Sequence, residues 1–121
     1  MSANPKFITL LTKLLEVSQA GRVKWEETPA EYTYRILLDH RAFVHVSRQL
    51  TDFSENFLYE ATVVNTDGKP VEGISVADTS ADTSGTSEIG LLRDLFDVAR
   101  RSAMDVDGML DGLIQTVEKN R

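Results

Sequence analysis

Three carboxylates and two glycines fall within eight residues of one another in DVDGMLDG, Asp105 to Gly112. Acidic residues spaced around glycine could bind calcium, which takes oxygen ligands from a sharply turned loop. A helix–loop–helix calcium site asks for oxygen at its first, third, fifth, seventh and ninth positions, glycine at the sixth and glutamate at the twelfth. Started at Asp105, the chain supplies Asp105, Asp107 and Asp111 at the first, third and seventh. Met109 then stands at the fifth, Leu110 at the sixth, Leu113 at the ninth and Thr116 at the twelfth. The stretch reads instead as a helix start. Asp105 is placed to cap it, Val106 opens an apolar stripe, and Asp107 sits near the positive end of the helix dipole.

The two histidines, His40 and His45, are five residues apart, and there is no cysteine. Zinc wants three or four imidazole, thiolate or carboxylate ligands in one place, so no metal site is expected. The chain lacks a phosphate-binding glycine loop, a dinucleotide fingerprint and a Gly-x-Ser-x-Gly elbow, so no cofactor is expected either. One constellation survives. If the strands described below form a meander, Arg35, His45 and Glu60 share one face of neighbouring strands. An imidazole between a cation and a carboxylate could transfer a proton or bind an anion. The same three residues also fit a row of solvated polar side chains, which antiparallel sheets commonly show.

Those residues need elements to hold them. Asn4 and Pro5 suit a helix start, Phe7, Leu11, Leu14 and Leu15 recur at helical spacing, and Gly21 suits the stop. RVKWEETP, 22–29, is a connector with short extended character, and its Trp25 is expected to anchor the core. In 32–39, Tyr32, Tyr34, Ile36 and Leu38 alternate with Thr33, Arg35, Leu37 and Asp39; in 42–48, Val44 and Val46 are set against Phe43, His45 and Ser47. Matching faces pairs Leu38 with Ala42, Ile36 with Val44 and Arg35 with His45. A second hairpin, NFLYEATVV and PVEGISVA, turns at Asp67-Gly68, a dipeptide suited to a two-residue type I′ turn. That turn pairs Ala61 with Ile74 and Tyr59 with Val76. The polar stretch 77–87 is expected to connect flexibly. Ser87 then caps a helix striped by Leu92, Leu95, Phe96, Ala99 and Ala103, and the pattern resumes from Val106 to Val117. The expected fold is α+β in one domain, 1–121: an N-terminal helix, a four-stranded antiparallel meander, and one or two C-terminal helices packed on one sheet face.

Composition narrows the function classes. A net charge of −6 and a pI near 4.8 oppose generic nucleic-acid binding, which rests on Lys and Arg neutralising phosphates. Arg41 with Arg48, and Arg100 with Arg101, are the densest basic pairs, and both fit a mixed solvated surface. The longest apolar run, FITLLTKLLEV, is interrupted and too short to span a bilayer, and it lacks the features of a secretory signal. No membrane partner is expected, and the cytoplasm is the default compartment.

The face carrying Arg35 also carries Leu37, Phe43, Leu58 and Val64, apolar enough to suggest a covered or partner-binding surface. The expected function is therefore a non-enzymatic cytoplasmic interaction or accessory protein, self-associating as a homodimer or binding a protein partner. Two alternatives stand beside it: a small acidic chaperone- or immunity-type protein, and a small-molecule binder or weak hydrolase using Arg35, His45 and Glu60.

The tail LLRDLFDVARRSAMDVDGMLDGLIQTV, with GRVKWEET and the VVNTDGKPVEG hairpin before it, resembles a set of small uncharacterised bacterial proteins. These pair a leading helix and a Trp-containing connector with a small antiparallel sheet and a C-terminal ARR-x-A…D helix. The resemblance implies the fold and brings no reaction or catalytic residues. In size, acidity and mixed character the chain is also similar to type III secretion chaperones. Its uninterrupted run of strands departs from them, since they place a helix inside the strand series.

Overall fold

The computed structural model describes residues 4–39, 41–50, 57–77 and 86–120, and the side chains of all of these except Thr86 and Ser87. His40 and most of the polar connector, 78–85, lie outside them. Asn4 Oδ1 accepts a hydrogen bond from the Lys6 amide at 2.9 Å and opens helix α1, Pro5–Gln19. The helix closes on Gly21 at φ +74, with the Arg22 amide donating to the Val17 carbonyl and the Gly21 amide to that of Ser18. This paired closure needs a left-handed residue just past the helix, which glycine adopts without strain. Phe7, Leu11 and Leu14 are buried as the stripe requires, and Ser18 continues it.

The sheet is an antiparallel meander of five strands in sequence order: β1 (Glu26–Glu27), β2 (Thr33–Leu38), β3 (Ala42–Leu50), β4 (Phe57–Asn65) and β5 (Pro70–Ala77). The expectation of four strands is corrected by β1. It has two residues, too few for an alternating pattern, and pairs Glu26 with Arg35 and Glu27 with Tyr34. The β2–β3 hairpin has the expected register, with Leu38 opposite Ala42, Ile36 opposite Val44 and Arg35 opposite His45.

In the β4–β5 hairpin the pairs Ala61–Ile74 and Tyr59–Val76 also form, but the turn differs. The Gly68 amide donates to the Asn65 carbonyl, and the Asn65 amide to that of Lys69, enclosing three residues, Thr66 to Gly68. Only Gly68 among them has positive φ, at +83, whereas a type I′ turn needs it at both central residues. Asn65 Oδ1 accepts from the amides of Asp67 and Lys69, each at 3.0 Å, and favours the wider loop. Val64 therefore faces Pro70, Val63 faces Glu72, and Val71 is an extra bulged residue. The longer loop shifts the pairing by one, and the bulge shifts it back.

Helix α2, Thr86–Ala103, lies on the sheet. It begins one residue before the expected cap, so Ser87 is inside its first turn. Its Ile89, Leu92, Leu95, Phe96 and Ala99 join the α1 stripe, Trp25, Tyr34, Ile36, Val44, Val46, Tyr59 and Ala61 in one buried cluster. α1 packs along α2. The last helix, α3 (Val106–Lys119), meets the rest of the chain at α2 and has no buried residue.

Candidate functional site

The sheet face away from α1 and α2 carries the polar candidates. Arg35 on β2 lies directly opposite His45 on β3, and His45 lies opposite Thr62 on β4. Glu60 is one step along the strand, opposite Ser47, where its Oε1 accepts from Gln49 Nε2 at 2.9 Å. Arg35 turns the other way. Its Nε is 3.4 Å from Glu26 Oε1, within ion-pair range but without hydrogen-bond geometry, and its guanidinium lies 4.7 Å from the Phe43 ring centroid. Burial, and then the Arg35 charge, lowers the His45 pKa from its ordinary 6.5, which favours neutral imidazole. The structure thus brings Arg35 and His45 together, while among the described residues no ion pair or hydrogen bond joins His45 to Glu60.

The apolar candidates on this face divide. Leu37, Phe43 and Val64 form one cross-strand row. Leu58 lies opposite Gln49, three rows away, or roughly 20 Å at the rise of an extended chain. The intervening rows hold His45, Ser47, Glu60 and Thr62. Phe43 is itself half-buried, under Arg35 and edge-on to His45 at 6.2 Å.

On the covered side, near the end of β3, sequence reasoning passed over a second arrangement. The Arg48 guanidinium lies 4.3 Å from the Phe57 ring centroid, 4.9 Å from that of Phe96 and 5.5 Å from that of Tyr32. Tyr32 has φ +52, which is rare for a bulky residue, and its carbonyl accepts from the Arg48 amide. Phe96 also packs against Tyr34 and Tyr59. A cleft of ≈ 840 Å³ is lined by these tyrosines, Arg48, Phe96, Arg100 and Met104, among others. Arg48 and Arg100, from different sequence clusters, meet here. Arg41 pairs with Asp39, and Arg101 with Asp107. Burial raises the Tyr34 pKa, with Arg100 opposing; its hydroxyl stays protonated and donates to Met104 Sδ at 3.6 Å. Asp97 holds Arg100 at 3.1 Å. The acidic residues Glu31, Asp94 and Asp97 also line the cleft, so it is not a simple anion funnel.

The third candidate is α3. Asp105 precedes it in a left-handed conformation (φ +49) and makes no side-chain cap hydrogen bond. This corrects the expected capping role. Asp105 forms the bend between α2 and α3, and its carboxylate folds over Gly108, where a Cβ would lie 2.7 Å from Oδ1. Arg101 Nη2 then ties Asp107 to α2 at 3.0 Å. Beyond that tie, Met109, Leu110, Leu113, Ile114 and Val117 are each 49–67% exposed. Periodicity had identified this stripe, but periodicity says only that a helix has an apolar side and not what covers it. Among the described residues, no three His, Asp or Glu side chains are grouped to hold a metal ion, and no helix is long and apolar enough to cross a membrane.

Comparison of the chain with protein-family models, curated proteins and solved structures returns no match.

Proposed function

We propose that this chain is a cytoplasmic, non-enzymatic protein-interaction module, and that α3 is its contact element. The supporting observation is the exposure of the α3 stripe beyond the half-buried Val106: Met109, Leu110, Leu113, Ile114 and Val117. Helices of fewer than about 12–15 residues are marginal in water, and α3 has 14 residues. Gly108 and Gly112 weaken it further, by roughly 1 kcal/mol each relative to alanine. Such a helix is held by packing, yet its apolar side from Met109 to Val117 stays about half or more exposed. About half of the roughly 1.5–3 kcal/mol available per large apolar side chain is still to be gained there. The sheet face competes less well, because Arg35 and His45 already cover part of its apolar row and a polar band divides it.

The test is hydrogen exchange across α3 in the chain alone and after addition of any protein that the immobilised chain retains. Protection of 109–117 on binding, lost in Leu113→Asp, is expected. Binding that survives Leu113→Asp with α3 still exchanging freely would reject the reading.

A second reading, a small-molecule site, is favoured by the Arg48 cleft. Planar aromatic carboxylates could stack on its rings and meet its guanidinium. Thermal-shift titration with a panel of such acids tests it, and no shift with any member would remove it.

A further inference from the structure

We infer that α3 pairs with α3 of a second copy of this chain, in an antiparallel arrangement. The inference rests on the proposed role of α3 and names its partner. An antiparallel pair can set Leu110 against Leu113 of the second copy and Val106 against Val117, so that each apolar layer is filled from both sides. The two contacts are related by a two-fold axis, and the assembly closes at two.

Charge selects the direction. Residues 105–112 contain Asp105, Asp107 and Asp111 and no basic residue, and with Asp107 paired to Arg101 they leave Asp105 and Asp111 uncompensated, whereas 113–120 contain Glu118 and Lys119 and are neutral. Parallel pairing would put the two acidic halves side by side. Antiparallel pairing puts each beside the neutral half and opposes the helix dipoles. Size is adequate for a weak dimer. Fourteen helical residues extend about 21 Å, a contact too short for the roughly 1,200–2,000 Å² of a stable specific interface and suited to a weak, reversible one.

The chain has no cysteine, so single-cysteine variants report geometry directly. Wild type should sediment as a dimer at tens of micromolar, and Leu113→Asp as a monomer with unchanged Trp25 emission. Under mild oxidation, Val106→Cys mixed with Val117→Cys should cross-link to each other. Neither should cross-link to itself, because like positions would lie about 16 Å apart along the axis, beyond disulfide reach. Self-cross-linking of each variant, with none between the two, would mean parallel pairing and overturn the inference. A monomeric wild type would overturn the second copy as partner, while leaving α3 available to a different protein. A dimer that survives Leu113→Asp would overturn α3 pairing and place the self-contact on another face; the role proposed for α3 falls only on its own exchange test.

Discussion

Trp25 Nε1–H donates to Ser18 Oγ at 3.0 Å, and both residues are buried. The indole thereby joins the start of the sheet to α1, while the Trp25 backbone amide donates to Ser102 Oγ on α2, also at 3.0 Å. A polar residue in the α1 stripe is explained by this bond, because a buried indole N–H without an acceptor is costly. Ser18→Ala should destabilise the fold by about 1–3 kcal/mol. Urea denaturation followed by Trp25 fluorescence measures it; an unchanged midpoint would mean the bond contributes nothing net.

Arg48 should matter as a planar cation more than as a charge. Arg48→Lys keeps the charge but loses the stacking on Phe57 and Phe96, and should cost about 0.5–1 kcal/mol, with Arg48→Ala costing about 1–2 kcal/mol. Equal stability of wild type and the lysine variant in thermal unfolding would show that the rings do not hold Arg48.

Gly68 at φ +83 should resist branched replacements. Gly68→Val should lower stability by about 1 kcal/mol or more, since a β-branched side chain is strained there. Gly68→Asn should cost less, because asparagine tolerates the left-handed region. Chemical denaturation of the pair decides; equal midpoints for the two variants would contradict the turn.

His45 makes stability fall on mild acidification. Its folded pKa lies below the unfolded value of 6.5, so the unfolded chain binds more protons in the window just below 6.5. Stability is then fullest above that pH and declines as pH drops toward the folded pKa. His45→Gln should flatten the slope of unfolding free energy between about pH 7.5 and 5.5. An identical slope in the variant would assign the dependence elsewhere.

The register of both hairpins could be read from the sequence because alternation on a half-buried sheet allows one pairing and penalises a slip by one residue. The β4–β5 turn could not. Asp67-Gly68 fits two loop lengths, and the bulge at Val71 restores the pairing that would have told them apart. The candidate sites were legible in parts. Arg35 and His45 were placed opposite each other by register alone, but the diversion of Glu60 to Gln49 depends on side-chain conformation. Arg48 gave no signal, since a cation on the apolar side of a strand resembles a strand end until Phe57 and Phe96 are seen around it. Ser18 was hidden for a similar reason, as its partner is seven residues away across a turn.

The two ends of the strand order differ from its middle in a way that bears on aggregation. An open sheet offers unpaired backbone groups at each edge, and these can template further strands from other molecules. Here one edge is the two-residue β1, made of the acidic pair Glu26 and Glu27. The other is β5, whose start is interrupted by Pro70, with no amide hydrogen, and by the bulge at Val71. A short charged edge and a proline-and-bulge edge both discourage end-to-end growth into fibrils. High concentrations of this chain should therefore yield discrete particles, and thioflavin fluorescence should stay flat.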